Sequence, residues 1–292
     1  MASARTPDEP LIGELLEEGR RRLAAAGLAR REAALLLAHL LGTGEAQLLA
    51  RDREPAGTDL AARYREWTAR RAAGEPAAYL FGEREFYGRP FSVDRRVLVP
   101  RPETELLVET ALSLPLPARP RLLDLGTGSG CLAVTLALEL PEARVLATDR
   151  STGALAVARG NARRHGVGDR IHLLAADLAT GLATGLAGGG FDLVVTNPPY
   201  VDPGERDALP ATVRDFEPPA ALFAPGHGLS VWLRLLAEVG PAMSPRAWLT
   251  GEIGCGQLPA LAAAAERSAL ALEGVRDDLA GIPRVVVLRR RA

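Results

Sequence analysis

The sequence predicts an α/β protein: a mostly parallel sheet, covered by helices on both faces, that follows a small all-α N-terminal region. Three observations carry this. From residue 121 onward, short apolar runs alternate with segments of helical periodicity, the order expected of repeated β-α-β units. A glycine turn, Asp124-Leu125-Gly126-Thr127-Gly128-Ser129-Gly130, joins the first of those runs to a helix. Residues 1–78, by contrast, hold only helical patterns.

Composition narrows the classes further. At 292 residues the chain has room for two domains, on a scale of about 150 residues each. With 47% hydrophobic and 24% charged residues it has the balance of a globular protein rather than a disordered one. No apolar run approaches the roughly 18 residues of a membrane span. Residues 1–10 carry Asp8 and Glu9 and lack the apolar stretch of a signal peptide, so a cytoplasmic protein without a membrane partner is expected. Cys131 and Cys255 are too few for a disulfide framework, and no Cys/His cluster has zinc spacing, so no metal is expected. All 35 basic residues are arginine, set against 36 acidic ones for a net charge of -1. The lack of lysine reads as compositional bias. A near-neutral chain lacks the basic excess of a nucleic-acid binder, and no direct nucleic-acid partner is expected.

Each element follows from a local signal. Ile12, Leu15, Leu16, Gly19, Leu23 and Ala26 fall on one helix face, with Glu17, Glu18, Arg20 and Arg21 largely opposite. A leucine-rich helix over 35–41 stops at Gly42, and Thr43 is placed to cap a short helix through Leu49. A helix over 59–73 stops at Gly74, with Pro76 just beyond. Residues 79–99 change character: Glu85-Phe86-Tyr87-Gly88-Arg89-Pro90-Phe91-Ser92-Val93 is the pattern of a hairpin around a glycine turn, read as a linker between domains 1–78 and 100–292. In the second domain, strands are expected at 122–125, 144–148, 171–174, 191–195, 248–253 and 284–289. Helices are expected at 131–140, 154–165, 229–239 and 258–268. Residues 183–190 read as a glycine-rich loop.

Two motifs carry chemistry. The first is the glycine turn, whose residues Gly126, Thr127, Gly128, Ser129 and Gly130 let backbone approach a ligand ahead of a helix N-terminus. The spacing is GxGxG, not the dinucleotide pattern. Asp149 closes the next strand, either accepting two ribose hydroxyls or capping the helix that starts at Ser151. Asp124 either orients the loop or meets a cationic ligand group. Asp177, after the third strand, is an acceptor for an adenine amino group or an ordinary surface-turn residue. The second motif is Thr196-Asn197-Pro198-Pro199-Tyr200, directly after a strand, where ligands of doubly wound sheets bind. Two prolines fix the backbone and remove two donors, leaving carbonyls as acceptors. A planar NH2 group could donate to the Asn197 side-chain oxygen and to the Pro198 carbonyl, with Tyr200 covering its flat face.

Together the two motifs resemble the class I S-adenosylmethionine-dependent methyltransferases that modify a planar nitrogen, on nucleic-acid bases or on protein glutamine. A third stretch, Val97-Leu98-Val99-Pro100-Arg101-Pro102-Glu103-Thr104-Glu105, is preceded by Gly74-Glu75-Pro76-Ala77-Ala78-Tyr79-Leu80-Phe81-Gly82. With Asn161, Glu217-Pro218-Pro219, Glu252-Ile253-Gly254, Gln257, Asp278 and Arg284, it gives a set that resembles the PrmC/HemK family, the peptide chain release factor glutamine N5-methyltransferases. Val99 and Thr196 depart mildly from that pattern, and Leu178 stands where many relatives carry an aromatic.

The resemblance implies a Rossmann-like, seven-stranded fold and methyl transfer to the glutamine of the Gly-Gly-Gln motif of class I release factors. S-adenosylmethionine would be held by residues 126–130, Asp149, Asp177, Leu178 and Asn197. Asn197, Pro198 and Tyr200 would be catalytic and, with Pro199, Arg101 and Glu103, would bind substrate. The helical region would dock the release factor. On the residues alone, Arg101 and Glu103 also read as a simple salt bridge. A ribosomal-protein glutamine methyltransferase, a nucleic-acid amino-methyltransferase and a non-catalytic cofactor-binding protein remain alternatives. No base is demanded, and His39, His165, His172 and His227 are scattered. Cys131 and Cys255 read as packing residues.

Overall fold

The computed structural model describes residues 9–182 and 190–291, so the loop expected at 183–190 lies outside the described residues except for Gly190. Contacts divide the chain into two compact units. One runs through Phe81 and takes in Ala211–Phe216; the other runs from Gly82 to Pro210 and resumes at Glu217.

The first unit contains α1 (Ile12–Ala25), α2 (Arg31–Leu41), α3 (Glu45–Ala50), α4 (Thr58–Ala72) and α5 (Ala77–Phe81). Its core is the apolar face read from the sequence: Ile12, Leu15, Leu16 and Leu23 of α1 pack with Leu36 and Leu37 of α2 and Tyr64 of α4. Tyr64 is fully buried, and its hydroxyl donates to the Ala33 carbonyl at 3.0 Å, so the polar end is satisfied. His39 stacks on Phe81 with 4.2 Å between ring centroids, as a packed residue. Thr43 does not cap α3. Gly44 takes the N-cap position with extended backbone, and the Thr43 hydroxyl donates to the Gln47 side chain at 2.5 Å.

The second unit opens with the hairpin β1 (Glu83–Phe86) and β2 (Arg89–Ser92). Tyr87 (φ 52°) and Gly88 (φ 69°) both take the left-handed region, as a two-residue hairpin turn of this hand requires. The main sheet follows: α6 (Glu105–Ser113), β3 (Arg121–Leu125), α7 (Cys131–Glu139), β4 (Arg144–Asp149), α8 (Thr152–Arg164), β5 (Ile171–Ala175) and β6 (Phe191–Thr196). After the short helices α9 (Ala211–Arg214) and α10 (Pro219–Leu222) come α11 (Ser230–Glu238), β7 (Met243–Glu252), α12 (Leu258–Glu266), β8 (Leu270–Asp277) and β9 (Pro283–Arg290).

The seven strands lie in the order β5-β4-β3-β6-β7-β9-β8. All neighbours through β7 pair in parallel, and β9 runs antiparallel to both β7 and β8. Successive residues of the buried strands enter opposite cores, as strand geometry demands. Leu122, Leu193 and Val195 pack with α6, α7 and α8, whereas Leu123, Leu125 and Val194 pack with α11 and α12. The sequence pattern accounts for six of these strands. It misses β8, an edge strand whose residues other than Leu270 are half-buried or exposed and whose register shifts beside Gly274.

Candidate active site

The sheet order reverses between β3 and β6: the chain leaves β3 toward β4 and β5, then returns to the other side of β3 as β6. Ligands of open α/β sheets bind beyond the strand carboxyl ends at such a switch point. Leu125 is in register with Thr148 on one side and Thr196 on the other, so the three loops that follow emerge side by side. They border a cleft of about 250 Å³.

The glycine loop is held from beneath. Gly126 and Thr127 donate backbone N–H groups to the Thr148 carbonyl at 2.9 and 2.8 Å. Asp124 is fully buried; its Oδ2 accepts from the Thr127 hydroxyl at 2.6 Å and from the Ala133 N–H at 3.2 Å. Of the two roles open to it, the structure gives Asp124 the orientation of the loop. Gly130 does not line the cleft: a Cβ there would sit 3.0 Å from that of Ala158, so this glycine admits the close approach of α7 to α8. Gly126, Thr127, Gly128 and Ser129 all face the cleft.

Asp149 braces the backbone at two points of the cleft and is not the cap of α8. Its Oδ1 accepts from the Ser151 N–H at 2.8 Å and its Oδ2 from the Gly128 N–H at 3.0 Å. Ser151 itself caps α8, accepting from Ala154 N–H at 3.1 Å. A carboxylate has about four acceptor positions, so each Asp149 oxygen keeps one for a ligand hydroxyl. Asp177 also lies at the cleft, ion-paired with Arg234 at 3.0 Å, and Leu178 beside it takes a positive φ of 52°.

At the end of β6, Thr196 ties its loop to the glycine loop, donating to the Leu125 carbonyl at 2.8 Å. Asn197 and Pro199 line the cleft; Pro198 is buried, Tyr200 is half-buried, and neither borders the cleft, unlike the substrate-facing positions expected of them. Asn197 Nδ2 donates to the Thr104 hydroxyl oxygen at 3.1 Å, and Thr104 donates to Glu252 Oε2 at 2.8 Å. Tyr200 donates its hydroxyl to Glu252 Oε1, also at 2.8 Å. Burial pushes the Tyr200 hydroxyl up, as does the adjacent Glu252 carboxylate, so it stays a donor. Burial likewise raises the Glu252 carboxyl, opposed by its bonds from Thr104 and Tyr200. Gln257 holds the Tyr200 carbonyl through Nε2 at 2.8 Å.

Arg101 lines the cleft but does not pair with Glu103. Its guanidinium meets Glu217 Oε1 at 2.5 Å, and Glu217 Oε2 accepts from the Val99 N–H at 3.2 Å. Glu103 is exposed in the first turn before α6 and does not reach the cleft. Cys131 borders the cleft, where burial pushes its thiol up to about 12 and keeps it protonated. Sequence reasoning gives no role to Thr104, Glu217 or Glu252. Each stands inside a recognisable motif, but what marks it is a partner far along the chain.

Residues 14–82 match the family described as the PrmC N-terminal domain, and residues 102–216 the methyltransferase small domain. The release factor glutamine methyltransferase of Bordetella pertussis is 44% identical over 264 residues, covering 90% of this chain and 96% of that protein. That of Nitratidesulfovibrio vulgaris is 41% identical over 295 residues, covering 99% and 98%. The chain belongs to the release factor glutamine methyltransferases. Among solved structures, a methyltransferase from Pyrococcus furiosus shares the fold, with a TM-score of 0.52 at 16% identity over 78% of this chain and 99% of that one. In this family member, then, Gly126 to Ser129, Asp149, Asn197 and Pro199 border one cleft of a class I methyltransferase fold. No helix among the described residues is long and apolar enough to cross a membrane.

Proposed function

We propose that this chain methylates, from S-adenosylmethionine, the side-chain amide nitrogen of the glutamine in the Gly-Gly-Gln motif of class I peptide chain release factors, in the cytoplasm. The observation that carries this reading is the state of Asn197. Its Nδ2 is committed to Thr104, and nothing among the described residues donates to its Oδ1 at the cleft. A fixed acceptor there suits a primary amide, which offers two N–H donors in one plane.

The residues present fit the cofactor. Gly126 has open space where a Cβ would stand and a φ of 73°, so only backbone borders the cleft at that point. Asp149 keeps acceptor capacity for a ribose. When bound, S-adenosylmethionine supplies an activated methyl group on a sulfonium, so no metal is needed to activate the donor. What remains for the chain is to hold a poor nucleophile, whose lone pair is delocalised into its carbonyl. Asn197 Oδ1 and the Pro198 carbonyl orient the amide NH2, which converts an encounter into a positioned reaction. Those same acceptors favour the positive charge that develops on nitrogen. Tyr200 is held by Glu252 and Gln257 and supports the amide from behind. The helical N-terminal unit docks the protein substrate, because one glutamine buries far less than the roughly 800 Å² per partner of a specific interface.

The test is methyl transfer from labelled S-adenosylmethionine to the same organism's purified release factors, in Gly-Gly-Gln and Gly-Gly-Ala versions, with ribosomal protein and RNA as parallel acceptors. Label on the Gly-Gly-Gln protein alone is expected. Label on ribosomal protein or on RNA would move the substrate to that class.

A further inference from the structure

The orientation of the Asn197 carboxamide is set from behind the cleft. Glu252 stands at the end of β7 with 1% of its surface exposed, and its backbone carbonyl is held by the Trp232 indole N–H at 3.0 Å. Both Glu252 oxygens accept: Thr104, itself 3% exposed, gives its one proton to Oε2, and Tyr200 gives its proton to Oε1. With that proton committed, the Thr104 oxygen presents only lone pairs to Asn197. A carboxamide rotated by half a turn would set Oδ1 against those lone pairs, two acceptors with no hydrogen between them. The rotamer with Nδ2 toward Thr104 is thus the one the carboxylate permits, and it leaves Oδ1 for the cleft.

We propose that Glu252 and Thr104 are positioning residues for Asn197: the Glu252 carboxylate fixes the direction of the Thr104 hydroxyl, which fixes the Asn197 carboxamide with its acceptor toward the substrate amide, while the same carboxylate holds Tyr200. The proposal deepens the amide-clamp reading and rests on it. The four residues come from 104, 197, 200 and 252, so the relay exists only in the folded sheet.

Thr104→Val keeps the shape and deletes the hydroxyl. It is expected to lower kcat about tenfold while KM for the release factor and affinity for S-adenosylmethionine move less than about twofold, since one lost hydrogen bond is worth on the order of a factor of ten. Thr104→Ser retains the hydroxyl and recovers most of the rate. In an Asn197→Ala background, Thr104→Val should add no further loss, because its route of action is gone; a purely structural Thr104 would lower kcat by the same factor in both backgrounds. Glu252→Gln sets an NH2 group against one of the two hydroxyls and leaves the other bonded; where it faces Thr104, that hydroxyl turns its proton away and kcat should likewise fall.

One readout needs no acceptor. The side-chain 15N–1H signals of Asn197, assigned by their absence in Asn197→Ala, should exchange slowly in the wild type and rapidly in Thr104→Val and Glu252→Gln. Rapid exchange in the wild type, a wild-type kcat in Thr104→Val, or an undiminished Thr104→Val loss in the Asn197→Ala background would each overturn the proposal. If the wild type labels no release factor while the protected signal is present and relay-dependent, the substrate reading fails and the positioning stands.

Discussion

The side chain of Asn161 holds the carbonyl of Ser129, its Nδ2 donating at 2.8 Å from α8 into the glycine loop. The same carboxamide serves the hairpin, donating to the Ser92 carbonyl at 3.0 Å and accepting from the Ser92 N–H at 2.8 Å. One fully buried residue therefore joins β2, α8 and the cofactor-side loop. Asn161→Ala strands the buried Ser129 carbonyl and unpairs both backbone groups of half-buried Ser92, a stranded buried group costing about 1–3 kcal/mol. We expect a loss of roughly 2–4 kcal/mol in urea unfolding, together with weaker S-adenosylmethionine binding as Ser129 is released. Asn161→Asp keeps the acceptor for Ser92 but loses both donations, so it should weaken cofactor binding too. A destabilised Asn161→Ala with unchanged cofactor affinity would show that the bond to Ser129 does not shape the loop.

Asp149 is predicted to matter twice. Asp149→Asn replaces one acceptor by a donor facing either Gly128 N–H or Ser151 N–H, and removes the charge that strengthens a ribose bond pair. Calorimetry should show S-adenosylmethionine affinity lower by about 1.5–3 kcal/mol, the range for hydrogen bonds to charged groups. The ligand-free variant should also melt earlier, because the donor clash exists without ligand. Unchanged affinity in a variant that melts earlier would leave Asp149 as a loop brace and refute the ribose role.

The parts of the site that sequence made legible are those built from neighbours in the chain. A strand, a glycine turn and a helix start lie within eleven residues, from Arg121 to Cys131, and their spacing alone places the loop. Asn197-Pro198-Pro199-Tyr200 is legible for the same reason. Glu217 and Glu252 were not: Glu217 meets Arg101 at a separation of 116 residues, and Glu252 meets Thr104 at 148. Nothing local distinguishes a carboxylate that will be buried by such a partner from one at the surface. The same limit explains β8. Strand patterns are read from continuous or alternating apolar runs, and an edge strand with one buried residue, Leu270, and a register shift offers neither. Thr43 failed as a cap because Gly44, one residue on, can take the N-cap backbone at least as readily.

The Arg101–Glu217 pair supports the segment before α6. Glu217 is buried, and burial raises its carboxyl against the opposing pull of Arg101; the Arg101 side chain is 31% exposed. Breaking a fully buried pair costs about 3–5 kcal/mol by leaving one charge alone, and the partly exposed guanidinium lowers that expectation to roughly 1–3 kcal/mol for Arg101→Met. Adding Glu217→Gln should recover part of the loss, because the neutral amide no longer needs the cation while its oxygen still accepts from Val99. Urea unfolding of the two single variants and the double variant measures the recovery. A double variant no more stable than Arg101→Met would place the loss in packing of the arginine stem rather than in the stranded charge.

Asp124 gives a pH dependence whose sign follows from its burial. Its Oδ2 has two donors, but its Oδ1 has no partner among the described residues, and burial pushes the carboxyl up to about 7, with the Asp149 charge adding to the rise. In the unfolded chain the same group titrates near 3.9. The folded state therefore binds this proton more tightly. The stability it contributes is fully present below about pH 4 and is lost as pH rises through about 7. Asp124→Asn is neutral throughout, and its oxygen still accepts from Thr127 and Ala133. The stability of the variant relative to wild type should thus climb between about pH 4 and 7 and then level off. The whole climb is at most roughly 4 kcal/mol, because each pH interval of one between the two titration points is worth about 1.4 kcal/mol. Taking the difference cancels the other carboxylates. Urea unfolding of both proteins across that range measures it, and a difference that stays flat with pH would mean that Asp124 ionises in the folded protein as easily as it does in water.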